Sequence, residues 1–113
     1  MHLDMEYDEM MARGRALLDK HGLHDWRFDV QNLRRKPGLT SRDLWGGCDP
    51  DRKLIVVDWD VGRRFRQTVL HEIAHALVGG SGHTEEWLKK AQEIGCTFNH
   101  LLDYWLNCGI RED

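Results

Sequence analysis

The sequence predicts a single-domain α+β protein in which helices flank a small sheet. Residues 4–21 and 63–78 carry apolar side chains at helical spacing, whereas residues 26–30 alternate between apolar and charged side chains, the pattern of a half-buried strand. The chain has 113 residues, 41% of them hydrophobic, which suffices for one domain with one modest core. We therefore assign residues 1–113 to one domain.

The first half of the chain predicts one helix and one strand. The helix over residues 4–21 ends at Gly22, because glycine is a natural helix stop. The strand at residues 26–30 follows it directly. Residues 37–52 are rich in glycine, aspartate and proline, and they indicate an irregular loop or a wide hairpin connection.

The second half predicts a strand followed by helices. Residues 53–59 contain a continuous apolar run rich in β-branched residues, which is typical of a strand buried on both faces. The helix over residues 63–78 ends in a glycine-rich reversal at residues 79–82. Thr84 can cap a third helix, and residues 99–107 are predicted as a short fourth helix.

A metal-binding pattern lies within the second predicted helix. Residues 71–75 read HEIAH, and histidines four residues apart lie one helical turn apart, so both imidazoles can reach one metal ion. On a helical wheel His71 and His75 fall opposite the apolar arc, where we expect a cleft. Glu72 lies one step round the helix and can reach a metal-activated water. The pattern therefore predicts a catalytic zinc site with Glu72 as general base.

A catalytic zinc needs a third protein ligand and an open fourth position. His83 is the leading candidate, because it lies just past a glycine-rich reversal that can return the chain to the same ion. Glu85, Glu86 and Glu93 are alternative third ligands. Cys48 is the first residue to consider as a ligand that closes the shell of a structural site.

The stretches around this pattern resemble the SprT-like zinc metalloproteases. Residues 68–79 read TVLHEIAHALVG and residues 82–87 read GHTEEW, similar to that family's core pattern of HExxH, a short spacer and H-G-x-x-[FW]. Residues 26–38, WRFDVQNLRRKPG, resemble the strand and basic hairpin of small bacterial and phage-type members. The resemblance covers about residues 24–96, and Thr84 stands where the family pattern has glycine.

The resemblance implies a zincin-like α+β fold, with a small antiparallel sheet packed against the HExxH helix and helices flanking both. It implies that His71, His75 and His83 hold one Zn²⁺ per chain and that Glu72 is the general base for hydrolysis of a protein or peptide substrate. Well-known members cleave proteins crosslinked to DNA, so the resemblance also implies contact with DNA. The basic hairpin residues expected to make this contact are Arg34, Arg35, Lys36 and Arg42.

Charge and composition fit these expectations. Residues 31–67 carry nine Lys/Arg against five Asp/Glu in a chain whose net charge is −3, so a basic middle could meet a polyanion. No apolar run approaches the length of a membrane span, and the acidic start does not resemble a signal peptide. The three cysteines include no C-x-x-C pair, so we do not expect a disulfide framework. We expect a cytoplasmic protein of a bacterial cell or phage-infected host, without a membrane partner.

Two other functions stay open from the sequence. The domain could hold zinc structurally and bind DNA or a protein without cutting it. It could also be a regulatory peptidase that cuts one specific partner, an activity that a single generic substrate would miss.

Overall fold

The computed structural model describes residues 6–33, 45–79 and 84–96, which form three α-helices and a three-stranded sheet. In chain order the elements are α1 (Tyr7–Lys20), β1 (Arg27–Gln31), β2 (Gly46–Asp49), β3 (Leu54–Asp58), a 3-10 turn (Gly62–Arg64), α2 (Phe65–Val78) and α3 (Glu85–Glu93). The predicted α+β class is confirmed. The helix predicted over residues 99–107 lies outside the described residues.

The sheet is mixed, with the strand order β1-β3-β2. β2 pairs with β3 in antiparallel register, but β1 pairs with β3 in parallel, so the predicted antiparallel sheet is wrong for one of its two pairings. A tight turn joins β2 to β3 and makes them antiparallel, and it includes Lys53 with a left-handed backbone (φ 52°). β1 pairs with the edge of β3 opposite to β2, and it runs in the same direction as β3.

β2 lies within residues 37–52, which the sequence predicts as an irregular connection. Its residues are Gly-Gly-Cys-Asp, and glycine and aspartate are depleted in strands. Tertiary packing overrides this weak local preference, because β2 is held between β3 and α2.

β3 supplies the centre of the core. Ile55 and Val57 are fully buried, together with Val69 and Ile73 of α2. The alternate residues of β3 are only partly buried until Asp58, so the prediction of a strand buried on both faces is wrong.

Asp58 fixes both ends of the segment that separates β1 from β2. Its side chain is buried, and one carboxylate oxygen accepts a hydrogen bond of 2.8 Å from the Leu33 backbone N–H. Its own backbone N–H donates to the Trp45 carbonyl at 2.7 Å. The chain therefore leaves the sheet at Leu33 and returns at Trp45 beside the same residue.

α2 is the central helix and contacts α1, α3, β2 and β3. It ends at Gly79, whose backbone is left-handed (φ 82°), as the predicted reversal requires. Thr84 caps α3 as predicted, since its hydroxyl accepts a hydrogen bond of 3.1 Å from the Trp87 backbone N–H. Among the described residues no helix has the length and apolar character needed to cross a membrane.

Candidate metal centre

His71, Glu72 and His75 form a cluster on α2. One potential ligand atom from each residue lies within 4.8 Å of the other two, and the three side chains are only 5–6% exposed. Two imidazole nitrogens and a carboxylate oxygen are ligands that several divalent metals accept. The cluster could therefore hold a metal ion, as its spacing on the helix predicts.

The histidines are buried, in contrast to the cleft expected from the helical wheel. A wheel shows which residues share one side of a helix, but not what packs against that side. α2 contacts elements on several sides, so residues 68–75 are all buried, including those outside the predicted apolar arc. Leu77, which belongs to the predicted arc, is 37% exposed.

The indole of Trp87 covers the two histidines. Its ring centroid lies 4.8 Å from that of His71, with an edge-on arrangement, and 5.2 Å from that of His75, with the planes stacked at 25°. The two imidazoles are 5.1 Å apart. Trp87 itself has no exposed surface, so α3 forms the wall of the cluster on this side.

The Glu72 side chain is buried. Burial raises the pKa of its carboxyl from 4.5 to about 8 in the metal-free chain, because the charged form loses its hydration. A divalent cation beside the carboxylate would favour the charged form instead. The donor set and this charge balance both fit a metal ion at the cluster.

The raised pKa of Glu72 predicts how stability depends on pH in the metal-free protein. Between about pH 4.5 and 8 the folded chain keeps the Glu72 proton and the unfolded chain loses it. The free energy of unfolding should therefore fall as pH rises, by about 1.4 kcal/mol per pH unit from this group. Urea denaturation at several pH values in the presence of a chelator checks this. Glu72→Gln is the reference, because its free energy of unfolding should not show this fall with pH. Parallel pH profiles for the two proteins would contradict it.

Gly46 of β2 approaches Glu72 closely. A Cβ at this position would lie 2.9 Å from Thr68 Cγ2, 3.0 Å from the Val56 carbonyl oxygen and 3.3 Å from Glu72 Oε2. Glycine therefore lets the strand pass directly beside the Glu72 carboxylate. The sequence reasoning missed this residue, because a Gly-Gly pair close to aspartate and proline is a signal of a turn or loop.

Gly46→Ala should lower the free energy of unfolding by about 1–3 kcal/mol, because β2 must move away from α2 to admit the methyl group. Gly47→Ala is the matched control, since a Cβ there would meet Val56 Cγ2 at an ordinary 3.7 Å. We expect Gly47→Ala to leave the free energy of unfolding unchanged or to raise it by about 0.5–1 kcal/mol. Urea denaturation measures both, and equal losses would show that the close approach does not matter.

His83, the predicted third ligand, lies outside the described residues. The alternative ligands on α3 do not join the cluster: Glu85, Glu86 and Glu93 are exposed, and Glu93 forms an ion pair of 3.0 Å with Lys90. Cys48 is half-buried and is not part of the described cluster. Burial, with the charges of Glu72 and Asp49, raises the pKa of its thiol to about 12 in the metal-free chain.

Arg34, Arg35, Lys36 and Arg42, the predicted DNA-contacting residues, also lie outside the described residues. At the point where the chain returns to the sheet, the Arg64 guanidinium lies 5.2 Å from the ring centre of Trp45. Such a pair is stabilised by the attraction between a cation and an aromatic face. Contact with DNA stays a prediction from the sequence.

Comparisons with known proteins identify no relative of this chain. No family model, curated protein or solved structure matches it.

Proposed function

We propose that this chain is a zinc-dependent metallopeptidase of the SprT-like type, with a zincin-like fold. The observation that carries the proposal is the buried cluster of His71, Glu72 and His75, whose potential ligand atoms lie within 4.8 Å of one another on one helix. The residues His71 and His75 hold the zinc, and His83 is its third protein ligand. The resemblance of residues 68–87 to that family supports this assignment.

A zinc ion in this cluster supplies Lewis acidity, which polarises a carbonyl and lowers the pKa of a nearby water. The remaining chemistry belongs to the chain. Glu72 accepts a proton on its carboxylate from the attacking water, and it then returns this proton to the nitrogen of the leaving amine. A divalent cation beside Glu72 would favour the charged carboxylate, which is the form that can accept this proton.

The substrate we propose is a protein or peptide, including proteins bound or crosslinked to DNA. The local excess of basic residues between positions 31 and 67 supports an encounter with a polyanion.

A structural metal site is the second candidate function. The specific observation in its favour is burial, because the three cluster side chains are only 5–6% exposed, whereas a catalytic site must admit its substrate. In this alternative the domain holds zinc and binds DNA or a protein without cutting it.

Metal analysis combined with cleavage assays tests the two candidates. The full chain is purified without added metal, its zinc content is measured by elemental analysis, and casein and a DNA-crosslinked protein are offered with and without DNA. Each assay is repeated after removal of zinc with a chelator and again after zinc is restored.

About one zinc per chain, with cleavage that disappears on chelation and returns with zinc, would support the metallopeptidase. Zinc without cleavage of either substrate would contradict a general peptidase and would leave the structural site or a peptidase that cuts one specific partner. Absence of zinc, with no binding when zinc is added, would contradict both candidates.

A further inference from the structure

Trp87 combines burial with contact to both histidines. Its indole lies 4.8 Å from the ring of His71 and 5.2 Å from the ring of His75, measured between centroids, and it has no exposed surface. Its Nε1–H donates to the backbone carbonyl of His71 at 3.4 Å. One side chain of α3 therefore touches the two imidazoles and the backbone of the helix that carries them.

The position of this indole is set by α3. Trp87 lies in the first turn of α3, and its backbone N–H is bound by the capping hydroxyl of Thr84 at 3.1 Å. Ala91, one turn later on the same side, is also fully buried, and its small size permits close packing of α3 on α2. The indole thus acts as a wall that is fixed independently of the histidine side chains.

A fixed wall restricts the rotations of the imidazoles. The plane of the indole makes an angle of 25° with the His75 ring, which stacks on it, and 65° with the His71 ring, which meets it edge-on. The two imidazoles therefore contact the same indole in different orientations. A metal ion requires both nitrogens in defined directions, and ordering two free side chains when it binds would cost affinity. Removal of a residue that orients a metal ligand typically lowers metal affinity by about 10–100-fold.

We propose that Trp87 is a positioning residue of the metal centre, which holds the His71 and His75 rings in their metal-binding orientations before the ion arrives. This inference rests on the proposed metal site. It assigns to a tryptophan a role that hydrogen-bonding carboxylates or carbonyls commonly have in orienting metal ligands.

The test compares zinc affinity in the full-length wild type, Trp87→Phe, Trp87→Leu and Trp26→Leu. Zinc affinity is measured by competition with a chromophoric chelator, and folding of each metal-free chain is measured by circular dichroism and thermal unfolding. Trp26 is a buried tryptophan in the connection between α1 and β1, so its variant controls for loss of aromatic core volume. We expect Trp87→Leu to weaken zinc binding by about tenfold or more, Trp87→Phe to recover most of the loss, and Trp26→Leu to retain the wild-type affinity.

A second measurement on the wild type keeps the test decisive if Trp87→Leu does not fold. Nuclear magnetic resonance relaxation of the ring carbons of His71 and His75 in the metal-free chain should show two rigid rings. Mobile rings would overturn the proposal, as would a folded Trp87→Leu variant with wild-type zinc affinity, or an equal loss in Trp26→Leu. Each of these results can occur while the wild type still binds zinc, which would leave the proposed metal site intact. A wild type that does not bind zinc would overturn both.

Discussion

Glu72→Gln is expected to keep its zinc and to lose peptide hydrolysis by about 10²–10⁴-fold. Glutamine has nearly the shape of glutamate, so the packing against Gly46 and the positions of the histidines should persist, but an amide cannot accept the proton of the attacking water. Initial rates on the most rapidly cut substrate, with zinc content measured on the same samples, provide the check.

Glu93→Gln is the matched control for this substitution. Glu93 is exposed on α3 and pairs with Lys90, so losing its charge should leave the cleavage rate close to that of the wild type. A Glu72→Gln protein that cuts as fast as wild type would exclude Glu72 as the base. A Glu72→Gln protein that loses its zinc would instead assign Glu72 to the ligand set, which the 4.8 Å grouping of ligand atoms also permits.

The part of the site that the sequence predicts is the part encoded by local helical geometry. Histidines four residues apart lie on the same side of any regular helix, so the nearness of His71 and His75 follows from their spacing alone. The caps of the neighbouring elements are equally local. Thr84 needs only the N–H three residues later, and Gly79 needs only its freedom to adopt a positive φ.

The parts that the sequence does not predict depend on contacts between distant segments. β2 is a strand because α2 and β3 enclose it, although Gly46 and Gly47 have low strand propensity. The burial of the cluster depends in the same way on α3, since a helical wheel treats each helix alone. Trp87 follows the predicted third ligand by only four residues, but its stacking on His75 requires that α3 pack back on α2.

The parallel pairing of β1 with β3 has the same origin. The direction of β2 relative to β3 follows from a short turn, which is a local feature. β1 is not joined to β3 by a short turn, so its direction depends on contacts between segments that are distant in the chain.

His75→Ala is expected to abolish high-affinity zinc binding and the stability that zinc confers. A ligand present at about 1,000 times its dissociation constant stabilises the folded state by about 4 kcal/mol, so zinc should raise the free energy of unfolding of the wild type by that amount. The variant also loses the stacking partner of Trp87, which lowers its stability without metal. The informative quantity is thus the zinc increment, which is the free energy of unfolding with zinc minus the free energy of unfolding with chelator. Urea denaturation measures it for each protein.

His24→Ala is the control, because His24 is exposed in the connection after α1 and contacts Asp19 at 3.3 Å, so its zinc increment should equal that of the wild type. His71→Ala and His83→Ala extend the series to the other histidine of the cluster and to the predicted third ligand. A lost increment in the His71, His75 and His83 variants would establish the three-histidine site, since each ligand contributes to binding and zinc binding is coupled to folding. An increment retained in His83→Ala alone would move the third ligand elsewhere, with Glu72, which belongs to the described cluster, as the next residue to replace. An increment retained in His75→Ala would remove the metal centre from the cluster on α2, and with it the reason to expect hydrolysis there.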